Sequence, residues 1–273
     1  MSKLKAYVAL SRPFTLIPAL VVGFVLVLSM EGVSPASSLR GLLVGLALAL
    51  AQGCGQVVNQ IVDRDLDRIV KPYRPLPRGL VTIDEALGLA SLLTILSVAC
   101  SLAVSAYFAL MVCIMLFFAA FYSLPPLSPR KRNPWLSLTW MAFSRGLLPI
   151  IAVMGLEGLP YALFSFVWAF GWQGTKDIPD VEGDREFGIR TIANTYGVEV
   201  LQGLSLTSTI ASAIIATVLG RPLLLLVVPL AVWGLAFYTR PWRGENTVAW
   251  AVFYLVLGMV PILILVERLA SFC

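Results

Sequence analysis

The sequence predicts an all-α membrane protein, and three observations carry that reading. Of the 273 residues, 59% are apolar and only 13% are charged, where a soluble domain has roughly 45–50% and about 25%. Apolar stretches of about 17–25 residues recur along the chain, the length of a helix crossing a hydrocarbon core of about 30 Å. The period-two alternation of a membrane β-barrel is absent.

About nine spans are expected, near residues 14–30, 39–62, 84–104, 106–121, 134–154, 159–176, 198–219, 222–239 and 246–268. The first apolar run, Phe14 to Met30, follows a short basic N-terminus and leads into further spans, not into a small-residue cleavage site, so no cleavable signal peptide is expected. The third and fourth spans have almost no loop between them and turn around Ser105. Arg145 lies about eleven residues into the fifth span. The whole chain, 1–273, reads as a single domain.

Basic residues set the orientation. Lys3, Lys5, Arg12, Arg64, Arg68, Lys71, Arg74, Arg78, Arg130, Lys131, Arg132, Lys176, Arg185, Arg190, Arg240 and Arg243 fall on one side, and Arg40, Arg221 and Arg268 on the other. This predicts a cell-membrane protein with its N-terminus and long loops cytoplasmic and its C-terminus external. The same bias explains the net charge of +5 without a nucleic-acid partner.

The chain has no histidine. That removes Ser-His-Asp and Cys-His nucleophile systems and histidine-ligated zinc or haem. The four cysteines, Cys54, Cys100, Cys113 and Cys273, form no Cys-x-x-Cys pair and read as small apolar packing residues.

Ten of the 15 carboxylates fall in two loops: Asp63, Asp65, Asp67, Asp84 and Glu85 after span two, and Asp177, Asp180, Glu182, Asp184 and Glu186 after span six. Asn59, Asp63 and Asp67 are spaced four apart, which puts them on one helix face. Asp65 falls off that face. Asp177, Asp180 and Asp184 repeat the pattern less regularly, because Pro179 and Gly183 disfavour a continuous helix. Both clusters follow even-numbered spans, so they can face one cavity. Every candidate ligand is a hard oxygen, which suits Mg²⁺ and not zinc or copper. Two such carboxylate sets make sense around a metal-bridged diphosphate, with Arg12, Arg68, Lys71, Arg130 and Lys131 available for the remaining phosphate oxygens.

The segments Asn59-Gln-Ile-Val-Asp63-Arg-Asp65-Leu-Asp67-Arg68 with Lys71-Pro-Tyr-Arg74-Pro-Leu-Pro-Arg-Gly79, and Lys176-Asp177-Ile-Pro-Asp180-Val-Glu-Gly-Asp184 with Gly188-Ile-Arg190-Thr191, resemble the two signatures of the UbiA superfamily of intramembrane prenyltransferases. The resemblance covers essentially the whole chain. It implies nine transmembrane helices around a central cavity, capped by the two cytoplasmic loops. It also implies transfer of a prenyl chain from a prenyl diphosphate to a lipophilic acceptor. Two Mg²⁺ ions bridging the diphosphate would be held by Asn59, Asp63, Asp67, Asp177, Asp180 and Asp184, with Asp63, Asp67, Asp180 and Asp184 catalytic. Arg12 would lie near the phosphates, joined by Arg68 and Lys71. The family's Tyr-x-x-x-Lys element after span four has Tyr122 here but proline at position 126, leaving Lys131 as a stand-in.

Arg145 is either paired with a loop carboxylate or in contact with diphosphate or an acidic acceptor. Trp168, Phe170, Trp172 and Tyr122 fall near the expected cavity, where core and interfacial packing accounts for them more simply than a cation-stabilising lining. The acceptor is open: an aromatic hydroxybenzoate or quinone precursor, the geranylgeranylglyceryl phosphate of ether-lipid synthesis, or a chlorin. An ion-coupled transporter is the alternative of a different class, but transporter sites tend to lie at midplane.

Overall fold

The computed structural model describes residues 2–242 and 246–270. Arg243 and Cys273, which entered the charge and cysteine readings, lie outside the described residues. The helices run in order α1 (Lys3–Ser11), α2 (Pro13–Glu31), α3 (Pro35–Val62), α4 (Arg64–Val70), α5 (Ile83–Leu102), α6 (Ala106–Phe121), α7 (Pro129–Arg132), α8 (Pro134–Ala142), α9 (Leu148–Met154), α10 (Leu159–Trp172), α11 (Val181–Glu186), α12 (Ile192–Tyr196), α13 (Val198–Val218), α14 (Val228–Ala236) and α15 (Val248–Ala270). Among the described residues, β structure is limited to one isolated bridge between Pro241 and Thr247.

Local chemistry starts these helices where the sequence places polar residues and proline. Thr82 and Glu85 form a reciprocal capping box on α5. Ser105 caps α6 by accepting from the Phe108 amide, so the sharp turn expected there is a helix cap. Asn133 accepts from the amides of Trp135 and Leu136, with Pro134 at the first position of α8.

The protein is a multi-pass membrane bundle. Among the described residues, six helical stretches are long and apolar enough to cross a membrane, and Ala106–Phe121 and Pro222–Ala236 are shorter apolar helices. One of the six, Pro134–Glu186, runs 53 residues. It breaks at Gly155, where φ is +60°, and its arms fold against each other so tightly that a Cβ on Gly146 would stand 2.4 Å from the Ser165 carbonyl oxygen. Between α8 and α9 the helix widens into a π turn over Phe143–Leu147. Pro149 has no N–H to give the Arg145 carbonyl, which loosens the ladder at this point.

Small residues let helices touch through their backbones, as is common where lipid supplies no hydrophobic drive for association. A Cβ on Gly23 of α2 would lie 2.7 Å from the Gly45 backbone of α3, and one on Gly45 would lie 2.5 Å from the Leu20 carbonyl. The main core joins α10, α13 and α15 around Phe164, Trp168, Trp172 and Phe253. Trp168 and Trp172 stack at 4.6 Å and are fully buried. Their role is packing. Phe170 packs against that core and stacks on Trp135.

Away from the acidic loops, Arg221 pairs with Glu267 at 2.6 Å and Arg268 with Glu157 at 3.5 Å. Glu157 and Glu267 thus neutralise basic residues at the opposite end of the bundle.

Gly45→Val is expected to destabilise the bundle by about 1–3 kcal/mol, the usual range for overpacking. Gly88→Ala, whose added Cβ meets nothing within 4 Å, should leave the melting temperature in detergent unchanged or slightly higher. Equal melting temperatures for the two variants would contradict the close α2–α3 contact.

Candidate active site

A single cavity of about 1560 Å³, its open mouth included, runs from the acidic loops into the apolar bundle. α3 contributes one wall. The hydrogen-bond ladder continues past its end, from the Asp63 amide to the Asn59 carbonyl at 2.9 Å and from the Asp67 amide to the Asp63 carbonyl at 2.7 Å. The i, i+4 face therefore survives the α3–α4 junction, and Asn59, Asp63 and Asp67 all line the cavity. Asp65 points to solvent, its side chain 64% exposed.

The second cluster is presented differently. Gln173–Asp180 is a 3₁₀ segment, in which residues three apart eclipse, so Asp177 and Asp180 fall on one edge. α11 then turns Asp184 inward, and all three line the same cavity. α11 approaches α4 closely because Gly183 faces Val70: a Cβ there would stand 2.2 Å from the Val70 Cγ1.

Four of these carboxylates are held by cations. Arg130 donates to Asp63 and Lys71 donates to Asp180. Arg74 reaches both oxygens of Asp67 at 2.8 and 2.7 Å. Lys176 donates to Asp177 at 2.6 Å. The Asn59 amide bridges Asp63 at 2.9 Å and Ser123 at 3.1 Å. Among the described residues Asp184 makes no ion pair. Burial, reinforced by Asp177, pushes its carboxyl up to about 7, against the opposing pull of Lys176 and Arg130. Arg130 is held firmly protonated: Asp63 and Tyr122 outweigh the burial that would favour its neutral form.

The other expected residues divide in two. Arg12 lines the cavity from a left-handed backbone position, φ 52°, between α1 and α2. A non-glycine residue there is strained by roughly 1–2 kcal/mol, and α1 is tied down by Gln60 donating to the Leu10 carbonyl at 2.6 Å. Tyr122 lines the cavity too, its hydroxyl 3.1 Å from Ser137. Arg68 and Lys131 are not brought in. Arg68 pairs with Asp65 at the surface, and Lys131 is exposed. Each follows an inward residue, Asp67 or Arg130, and successive helical residues face directions about 100° apart. The cation beside Tyr122 is Lys176, 5.5 Å from the ring centre. Arg130, one of the bases available for phosphate oxygens, is brought in; Arg74 and Lys176, which stand within the quoted segments, are not among those bases.

Arg145 lines the cavity from the π turn. Among the described residues no loop carboxylate pairs with it: its partner is the Tyr254 hydroxyl, at 3.2 Å. At mid-span such a charge costs about 2.5–3.5 kcal/mol.

The donor set fits magnesium by chemistry. Five carboxylates and one amide face one cavity, all of them offering hard oxygens. As the side chains stand, no three carboxylates among the described residues converge enough to enclose an ion.

A cavity with carboxylates and cations at one end and an apolar interior is suited to an amphiphile with a polyanionic head. The chain belongs to the UbiA prenyltransferase family, whose model matches residues 15–261. It is similar to the bacteriochlorophyll synthase 34 kDa chain of Chloroflexus aurantiacus, 30% identical over 56% of this chain and 50% of that protein. It is also similar to a probable homogentisate phytyltransferase 2 of Oryza sativa subsp. japonica, 32% identical over 55% and 44%. The digeranylgeranylglyceryl phosphate synthase of Pyrococcus horikoshii is 27% identical over 71% of this chain and 69% of its own length. The chain thus spans about half the length of the first two relatives. The fold is that of a UbiA homolog from Archaeoglobus fulgidus bound to DMAPP and Mg²⁺: TM-score 0.71, 20% identity, with 97% of this chain and 98% of that one covered. An Aeropyrum pernix homolog matches at TM-score 0.72 and 19% identity, over 96% and 98%.

Two outcomes are expected from the charge arrangement. Arg130→Met strands a buried Asp63 and should cost about 3–5 kcal/mol, the range for removing one partner of a buried pair. The Asp63→Asn/Arg130→Met double variant should recover most of that loss in chemical denaturation; a double variant no more stable than the single one contradicts a pairwise interaction. In metal-free protein Asp184 binds its proton more tightly folded than unfolded. Its contribution to stability is therefore present at pH 4 and lost as pH rises to about 7. Melting with chelator across that window should show a decline that Asp184→Asn removes.

Proposed function

We propose that this protein is an intramembrane prenyltransferase that draws a prenyl chain from a magnesium-bound prenyl diphosphate. The observation that carries the reading is the convergence of Asp63, Asp67, Asp177, Asp180 and Asp184 from two helix ends on one cavity, with Lys71, Arg74, Arg130 and Lys176 among them. The Archaeoglobus homolog of the same fold, bound to DMAPP and Mg²⁺, supports it.

Asn59, Asp63, Asp67, Asp177, Asp180 and Asp184 would hold two magnesium ions, which neutralise the diphosphate and polarise it as a leaving group. The chain's own cations then have a second role. With metal on the aspartates, Arg130, Lys71, Arg74 and Lys176 would donate to phosphate oxygens. That stabilises the charge that grows as the C–O bond breaks to leave an allylic cation. Arg12 lies at the same cavity wall. The apolar lining excludes the water that would quench the cation. An aspartate of the cluster, or the departing diphosphate, takes the acceptor's proton.

Counting the two arms of the Pro134–Glu186 hairpin separately and adding the two shorter apolar helices gives nine crossings. The acidic loops and the N-terminus face the cytoplasm by the basic-residue asymmetry; the ion pair from Lys3 to Glu85 keeps the N-terminus beside the first acidic loop. The acceptor is an aromatic quinone precursor or another lipophile. Transfer to geranylgeranylglyceryl phosphate is the second reading, favoured because, of the three relatives above, digeranylgeranylglyceryl phosphate synthase aligns over the largest share of the chain.

The test is diphosphate release in nanodiscs from geranylgeranyl diphosphate, with 4-hydroxybenzoate, geranylgeranylglyceryl phosphate or no acceptor. Release should require both an acceptor and Mg²⁺, stop with chelator, and fall at least a hundredfold in Asp63→Ala. Acceptor-independent or chelator-resistant release in a folded protein would remove the proposal.

A further inference from the structure

Arg12 lines the cavity from a backbone conformation that its sequence does not favour. Its φ of 52° and ψ of 67° are left-handed, a region that residues with a Cβ seldom occupy. The next residue is Pro13, and a residue before proline is pushed toward extended conformations. Local bonds fasten Arg12 to the helices it joins. Its amide donates to the Ala9 carbonyl at 3.2 Å, and its carbonyl accepts from the Thr15 amide and hydroxyl, both at 2.9 Å. These bonds do not fix where α1 lies on the bundle, so the strained corner is held from elsewhere.

α1 has nine residues, too few for a helix to persist without tertiary support. Ala6 and Leu10 are fully buried in a cluster with Cys54 and Val57 of α3, and Lys3 pairs with Glu85 of α5. At the end next to Arg12 the fastening is polar. The Leu10 carbonyl belongs to the last turn of α1, where carbonyls lack an intrahelical donor, and the Nε2 of Gln60 donates to it at 2.6 Å. A carbonyl only accepts, so the nitrogen of the Gln60 amide must face it. Gln60 and Leu10 are both buried, so solvent does not make good the loss of this bond. Gln60 follows Asn59 on α3, and the turn of about 100° between successive helical residues separates their tasks. Asn59 lines the cavity, and Gln60 is turned against α1.

We propose that Gln60 is a positioning residue: its bond to the Leu10 carbonyl sets the end of α1 so that the left-handed Arg12 holds its guanidinium at the diphosphate. This rests on the prenyltransferase reading above and adds a residue that touches neither metal nor substrate. Without the bond, the last turn of α1 is released and Arg12 relaxes toward the extended backbone preferred before proline. That swings its side chain off the cavity wall, while Asn59, Asp63 and Asp67 keep their places on α3 and α4.

The test is a double-mutant cycle read by calorimetric titration of the full chain in nanodiscs, first with Mg²⁺ alone and then with geranylgeranyl diphosphate in saturating Mg²⁺. Gln60→Met keeps the length of the side chain and removes the donor. It should weaken diphosphate binding about tenfold or more, as Arg12→Gln does, the scale of a lost hydrogen bond to a charged group. In the Arg12→Gln background, Gln60→Met should add less than about twofold, because the two residues act through one contact. Affinity for Mg²⁺ alone should stay within about threefold of wild type in both single variants, since effects at well-separated sites are independent. Should Gln60→Met fail to fold, Gln60→Asn, which draws the amide back by one methylene, should show the same dependence on Arg12. Donor affinity unchanged by either Gln60 substitution, a loss of equal size in the wild-type and Arg12→Gln backgrounds, or Arg12→Gln itself without effect overturns the positioning role. Absence of magnesium-dependent donor binding in wild type is a separate failure, that of the prenyltransferase reading itself.

Discussion

The need to neutralise aspartates at the end of an apolar bundle organises the acidic end of this molecule. An ionised carboxylate taken out of water is expensive unless a cation and hydrogen bonds accompany it. Here Arg130, Arg74, Lys71 and Lys176 each take one carboxylate. Two of those contacts, Arg130 to Asp63 and Lys71 to Asp180, also tie together chain segments distant in sequence. α7 is fastened to the end of α3, and the segment after α4 is fastened to the 3₁₀ segment after α10. The electrostatic solution and the tertiary closure of the loops are one arrangement, and metal binding must compete with it. Affinity for a divalent ion is thereby coupled to the position of the basic side chains, which are released when their aspartates find another partner.

How much of this the sequence discloses depends on the range of the interaction involved. Asn59, Asp63 and Asp67 are legible because a helical ladder of fixed period connects them and runs unbroken through the α3–α4 junction. Asp177, Asp180 and Asp184 are half legible. Their spacing suits neither a pure α-helix nor a pure 3₁₀ turn, and the chain uses one after the other. Arg68 and Lys131 read as bases available to phosphate oxygens, but each sits one position past an inward residue, and adjacency on a helix is a change of direction. Lys176 takes the place beside Tyr122 through a contact between distant segments, which no local spacing encodes. Arg145 was legible as an anomaly, and only the packed structure shows that its partner is a tyrosine hydroxyl on α15.

Tight backbone contacts shape the rest of the cavity. The α2–α3 seam, closed through Gly23 and Gly45, has no side chain to retract, so that wall is stiff. Volume for a hydrocarbon tail must come from walls built of rotatable side chains such as Met115, Met141 and Leu257, all of which line the cavity. Methionine in particular adapts to irregular shapes.

The π turn at Phe143–Leu147 carries a consequence of another kind. One extra residue in a helical turn offsets everything beyond it by about 100° relative to a regular helix. The two halves of this span therefore show the cavity faces that a strictly periodic helix would not align. Removing a single residue from the turn would restore one phase throughout and redirect either the Ser144–Arg145 side or the Pro149 side away from the interior. The composition of the cavity floor can thus be rewritten by a one-residue change in chain length, leaving the remaining side chains in the span the same.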